Sequence, residues 1–175
     1  LENYPPFSLL EKSELLQISE SITVFYFEAG KMIFKKDEQV HDQFYIVQKG
    51  AVDLQKVEES KEPETIDKCD EGDIFGLRPL FAKENYQINA ITDEESVIYG
   101  IPLNLFKPYA INNPEVGDFL MESFASNTRN PYSEKHRGRL FTDEEEIQLN
   151  KDPLFELQPI PIVKKMVTVS RNTSI

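Results

Sequence analysis

Hydrophobic and polar positions along this chain change their period twice. Near the start, Leu10, Leu15, Leu16 and Ile18 recur at roughly helical spacing behind Ser13. Ser8-Leu9-Leu10-Glu11 has the form of a capping box, so a short N-terminal helical pair is predicted. From Ile22 the period becomes that of strands, with β-branched and aromatic runs at Ile22-Thr23-Val24-Phe25-Tyr26-Phe27, Met32-Ile33-Phe34, Phe44-Tyr45-Ile46-Val47 and Ala51-Val52-Asp53-Leu54. Gly30 and Gly50 fall where the chain must reverse, and Asp37-Glu38 marks another polar turn. A charged excursion over 58–64 reads as an exposed hairpin loop, after which strand signals resume over 65–69, 86–92 and 96–101. Short, evenly punctuated strands of this kind predict a mainly β fold, an antiparallel β-roll or jelly roll with flanking helices.

The second change comes at Leu103. Residues 103–109 and 114–126 read as helices, the latter with Asn113 as cap, Pro114 at its first position, and Val116, Phe119, Leu120 and Phe124 on one face. That face serves either a core or a homodimer contact. Between 127 and 161 the chain is polar and Pro-punctuated, with the acidic run Asp143-Glu144-Glu145-Glu146 and the apolar knot Leu154-Phe155-Leu157. An extended linker able to dock on the roll is expected there. The organisation predicted is a roll with its helices over 1–128, a linker over 129–162, and the truncated start of a further domain over 163–175.

Composition narrows the function classes. Hydrophobic residues make up 39% of 175 residues, enough for one core and an appendage. Lys and Arg total 19 against 31 Asp and Glu, a formal net charge of −12, which disfavours nucleic acid as a direct partner. No segment approaches the roughly 20 apolar residues of a membrane helix, and no signal-peptide pattern follows Leu1, so a cytoplasmic protein with no membrane partner is expected. Cys69, the single cysteine, sits in a strand-like run where a small packed side chain is expected rather than a reactive thiol. His41 and His136 lack the spacing of a metal pair and are expected at turns or the surface. Glu94-Glu95 and the run at 143–146 fall in predicted turns, where solvation is the default role. With no catalytic triad or Gly-rich nucleotide loop, enzymatic chemistry is not expected of this chain.

The order of elements carries a further signal. Glu28-Ala29-Gly30-Lys31-Met32-Ile33-Phe34, then Phe44-Tyr45-Ile46-Val47-Gln48-Lys49-Gly50, then the turn Gly72-Asp73-Ile74-Phe75-Gly76, a final strand pair and helices, resembles the cyclic-nucleotide-binding domain over residues 5–128. More narrowly, Phe75-Gly76-Leu77-Arg78-Pro79-Leu80 and Phe124-Ala125-Ser126-Asn127-Thr128-Arg129-Asn130-Pro131 look like bacterial multidomain proteins. Those combine this sensor with paired CBS domains and a nucleotidyltransferase-like domain related to PII-uridylyltransferases. The terminal Lys165-Met166-Val167-Thr168-Val169-Ser170-Arg171-Asn172-Thr173-Ser174-Ile175 is similar to the opening of a CBS domain. The resemblance implies downstream CBS and nucleotidyltransferase-like domains as partners in the same chain. The transferase-like part lies outside this sequence, so no catalytic residue carries over.

The resemblance also implies a pocket, and the residues there depart from the family's pattern. A short helix should begin after Gly76, its amides meeting a cyclic phosphate. The next position, usually a Glu that binds the ribose, is Leu77. Pro79 has no N–H where an amide commonly joins the phosphate cradle. Glu84 aligns with the phosphate-binding Arg, and a carboxylate there repels an anion. Lys83 and Arg78 are alternative cations, with ordinary surface charge as their other reading. Asn85, Tyr86 and Gln87 either offer neutral hydrogen bonds or simply end a strand. The expected pocket set is therefore Gly76, Leu77, Arg78, Leu80, Lys83, Glu84, Asn85, Tyr86 and Gln87. No cofactor is assured: cAMP is not expected in the usual mode, and another nucleotide or a small anion is the alternative. The resemblance further implies that the helices over 103–126 act as a hinge responding to the pocket.

Overall fold

The computed structural model describes residues 1–126 and 129–132. A 3-10 turn, Phe7–Leu9, leads into α1, Lys12–Ser19. The capping box lies one turn later than the Ser8 pattern predicts: the Glu11 side chain takes the N3 backbone amide, and Glu14 takes the Glu11 amide at 2.9 Å. Phe7, fully buried, holds the preceding residues in the tighter turn, so the helix proper starts where the chain leaves the core.

Eight strands follow: β1 (Thr23–Phe27), β2 (Met32–Phe34), β3 (Gln43–Lys49), β4 (Val52–Lys56), β5 (Glu64–Cys69), β6 (Ile74–Phe75), β7 (Asn89–Thr92) and β8 (Ser96–Pro102). They form two four-stranded sheets with the orders β1-β8-β3-β6 and β2-β7-β4-β5, every pair antiparallel. This is the jelly-roll-like architecture that the strand spacing predicts. The predicted strand over 86–92 is shorter than expected, since residues 86–88 remain outside the ladder. Three helices complete the fold: α2 (Leu77–Ala82) between β6 and β7, then α3 (Leu103–Asn112) and α4 (Pro114–Ala125). Asn113 caps α4 as expected, its side-chain oxygen accepting from the amides of Glu115 at 3.0 Å and Val116 at 3.3 Å.

The alternation along β3 explains the layering. Phe44 and Ile46 point toward the helices, joining Phe7, Ile101, Phe106, Val116, Phe119 and Phe124 in one core. Tyr45 and Val47 point the other way, into the roll, with Phe34, Val52, Leu54, Phe75 and Ile98. Successive strand side chains face opposite sides, so a central strand covered on both reads as a continuous apolar run. Phe106 meets Phe44 edge-on with centroids 5.1 Å apart and Phe7 at a tilt with centroids 5.6 Å apart, while Phe7 stacks on Phe44 at 6.4 Å. Burying each such ring contributes about 1.5–3 kcal/mol, which fixes the helices on the β3 sheet.

Among the described residues, no helix is long and apolar enough to cross a membrane. Cys69 is fully buried at the end of β5 and burial pushes its thiol pKa up, in keeping with a packing role.

Candidate functional site

The chain enters the candidate site through a turn. The Gly72 amide donates to Val47 O at 2.7 Å and the Asp73 amide to Asp70 O at 2.9 Å, which fastens the turn to β3 before β6 begins. At Gly76 the backbone takes φ +72°, and a Cβ there would stand 3.2 Å from the Tyr45 ring and 3.4 Å from Phe34. Only glycine reaches this left-handed conformation without a steric cost. From it, α2 starts with its axis set against β3. Pro79 falls in the first helical turn, where a missing N–H costs the helix nothing, because those donors have no intrahelical partner.

The cassette surrounds a small cavity of about 40 Å³, bordered by Gly76, Leu77, Arg78, Tyr86 and Gln87, with Phe34, Leu54 and Ile88 as apolar wall and Arg129 on a further side. Such a volume holds a water or two. The roll interior is occupied by aromatic rings: Tyr86 stacks on Phe34 with centroids 3.8 Å apart and planes 6° from parallel. Tyr86 is buried, which raises its phenol pKa, and its oxygen accepts the His41 amide at 3.2 Å. His41 is half-buried rather than free at the surface; Nδ1 lies 2.5 Å from the Tyr45 hydroxyl and Nε2 3.3 Å from Glu38.

Arg78 is 5% exposed, so ordinary surface charge does not describe it. It sits in the first turn of α2, on the side facing the roll, and Nη1 donates to Glu84 Oε2 at 2.9 Å. The two residues meet because α2 stops at Lys83, whose φ of +55° reverses the chain and brings Glu84 back along the helix. Lys83, Glu84, Asn85 and Leu80 do not border the cavity. They line a separate open groove of about 980 Å³, together with Asp37, Asp42, Leu103 and Lys107. The predicted pocket set thus divides in two, Gly76, Leu77, Arg78, Tyr86 and Gln87 inside and Leu80, Lys83, Glu84 and Asn85 outside. Asn85 and Gln87 spend their side-chain amides locally, donating to Asp37 O at 3.1 Å and Asn85 O at 3.0 Å.

Arg129, expected from the sequence to lie in the linker, belongs to the cavity wall. Its side chain is 1% exposed and bridges Asp67 at 2.6 Å and Asp73 at 3.5 Å, while Nη2 donates to Lys68 O at 2.6 Å. The resemblance includes Arg129 in its distal motif, but nothing local in the sequence points it at residues some sixty positions earlier. Among the described residues, no cluster of His, Cys, Asp and Glu is arranged to hold a metal ion. The segments over 143–146 and 163–175, including the stretch similar to a CBS domain, lie outside the described residues, as does His136.

Comparison with known proteins bears on the family and the fold. A family model described as the cyclic nucleotide-binding domain matches residues 24–112. The global nitrogen regulator of Synechococcus elongatus is 28% identical over 104 residues, covering 57% of this chain and 46% of that protein. The chain therefore spans about half the length of this curated relative. Among solved structures, the sensor domain of the transcriptional regulator DNR from Pseudomonas aeruginosa aligns with a TM-score of 0.64 at 15% identity, covering 71% of this chain and 83% of that one. The regulatory subunit of a cAMP-independent protein kinase A from Trypanosoma brucei aligns at 0.62 and 21% identity, covering 71% and 44%. The catabolite activator protein of Thermus thermophilus gives 0.58 and 19%, covering 67% and 55%. At these identities the structural likeness establishes the fold.

Proposed function

The chain belongs to the cyclic nucleotide-binding domain family, and from that membership we propose that it is a regulatory sensor module whose cassette does not take cAMP in the family's usual mode. The observation that carries this reading is the pair formed by Arg78 and Glu84. A guanidinium beside Gly76 is already engaged by a carboxylate at 2.9 Å, at the position where the resemblance expects a cation for the phosphate. Leu77 adds a side chain without hydrogen-bonding atoms, and Pro79 removes an amide donor. The cavity of about 40 Å³ is also far below the roughly 300–1,000 Å³ of ordinary small-molecule sites.

As a sensor without catalytic residues of its own, the chain acts by biasing a two-state element. The helices α3 and α4, packed on the β3 sheet, are that element. Its output goes to the CBS and nucleotidyltransferase-like domains that the resemblance implies downstream. Calorimetric titration with cAMP tests the reading. No binding is expected, whereas micromolar affinity in the unaltered chain would overturn it. Introducing Leu77→Glu together with Glu84→Arg is expected to be the minimum needed before cAMP binds detectably.

A second reading has its own observation, the open groove whose lining includes Lys83, Lys107 and Asn85. Another nucleotide or small anion held there would raise the melting temperature, by about 2.7 kcal/mol of stabilisation at 100 times its dissociation constant. Lys83→Ala should abolish that effect, and retention of it would remove this reading.

A further inference from the structure

We propose that Arg129 is a latch: it fastens the chain beyond α4 to the cassette turn, and its closed position excludes any ligand larger than the residual cavity. The inference rests on the sensor reading above and specifies how the same site is regulated.

Three observations converge on it. Arg129 joins two parts of the cassette, since Asp67 lies on β5, Asp73 lies in the turn leading to β6, and both carboxylates contact the guanidinium, as does Lys68 O. The same side chain borders the cavity beside Gly76, Arg78 and Tyr86, leaving about 40 Å³. Immediately afterwards the chain is held on α4, with Pro131 buried and the Tyr132 ring 5.2 Å from Phe119. One short segment therefore touches the cassette through charge and the C-terminal helix through apolar contact.

The closed arrangement is also built to open. Among the described residues, Arg129 Nε is buried without a hydrogen-bond partner, an unfavourable feature that release into water would correct. Asp67 and Asp73 keep 14% and 13% side-chain exposure, so water can reach them as the guanidinium leaves. Withdrawal of Arg129 removes the one positive charge held against Asp67 and Asp73 and leaves both carboxylates beside the vacated position. A small guanidinium or amine is then the ligand class that fits the vacated position, rather than a phosphate. Filling of that position and docking of residues 129–132 become mutually exclusive, which is the differential binding that a two-state switch requires.

Cys69 offers a readout on the 175-residue chain, because it is the single cysteine, is fully buried, and follows Lys68 directly. Labelling with a thiol reagent under native conditions should be roughly tenfold or more faster in Arg129→Ala than in wild type, equivalent to about 1.4 kcal/mol. Low millimolar guanidinium chloride should slow the variant again, while sodium chloride at equal ionic strength should not. Arg129→Lys, which keeps the charge but loses the fork, should fall between, and it serves as the test variant if Arg129→Ala does not fold. Asn113→Ala controls for global destabilisation, since it weakens the α4 cap away from the latch.

An unchanged rate in the Arg129 variants overturns the latch. So does an equal acceleration in Asn113→Ala at matched stability, or equal rescue by sodium chloride. The parent reading is separated by titrating wild type with cAMP. Binding there sinks the sensor reading whatever the labelling shows, and silence there with unchanged labelling sinks the latch alone.

Discussion

Replacing Glu84 by Gln removes one charge from the cassette and leaves its shape. Glu84 accepts a single 2.9 Å bond from Arg78 Nη1, with Arg78 at 5% and Glu84 at 39% side-chain exposure. Removing one partner of a fully buried pair costs about 3–5 kcal/mol, and an exposed pair is worth about 0.2–1 kcal/mol. With one buried partner and one substantially hydrated, and with the Gln oxygen still able to accept, about 1–2 kcal/mol is expected. Urea unfolding reads this directly: with a slope of about 1–3 kcal/mol per molar, the midpoint should fall by roughly 0.3–2 M at unchanged slope. The difference from wild type should shrink at high salt, because Glu84 is exposed enough to be screened. A midpoint equal to wild type at low salt would refute the reasoning, since it would mean that Arg78 gains nothing from this carboxylate. Binding of cAMP by the same variant would also contradict it, because Leu77 and Pro79 are unaltered.

Other outcomes follow from individual contacts. Asn113→Ala should cost about 1 kcal/mol, the usual value of an N-cap, read as a lower melting temperature. Gly76→Ala must hold φ +72° and press a Cβ against Tyr45 and Phe34, so roughly 1–2 kcal/mol is lost, measurable by thermal unfolding. The Glu38 carboxyl is held below its ordinary pKa chiefly by the hydrogen bond from the Lys35 amide, which outweighs the opposing effect of burial, with His41 adding a smaller lowering. A lowered folded-state pKa contributes stability that is fully present above the unfolded pKa and is lost as pH falls through the folded one. Glu38→Gln should therefore flatten the acid limb of a stability–pH profile, and an unchanged limb would show that Glu38 does not contribute.

The strands and the two C-terminal helices were legible because their signals are local. The β-branched runs of β1 and β3, and Asn113 with Pro114 ahead of α4, each declare an element within a few residues. β6 was hidden inside the Gly72–Gly76 turn, since two residues carry no alternation. The capping box was misplaced because Ser8 satisfies the usual pattern while Glu11, the residue that caps the helix, does not; burial of Phe7 holds the Ser8 region in the tighter turn. Within the site, the substitutions Leu77, Pro79 and Glu84 were readable as departures from a family pattern. Their consequence was not. Arg78 becomes a buried partner of Glu84 only because the chain reverses at Lys83 with φ +55°, a conformation unusual for lysine. Arg129 was harder still, as its contacts at Asp67 and Asp73 exist only once the two sheets have closed.

The turn that precedes β6 gathers both ends of the described chain. A side chain at Gly72 would overlap the Tyr4 ring, so the N-terminal residues lie directly on it, and Asp73 receives Arg129 from the other end. The Asp70 amide, bonded to the Asp73 carboxylate at 2.9 Å, is thereby placed between two remote reporters. Exchange of the turn's amides should then register a disturbance at residue 4 and one at residue 129 in the same few signals. A module arranged in this way adds inputs rather than relaying one: loosening at either end weakens the same turn, and the state of the cassette reflects their sum.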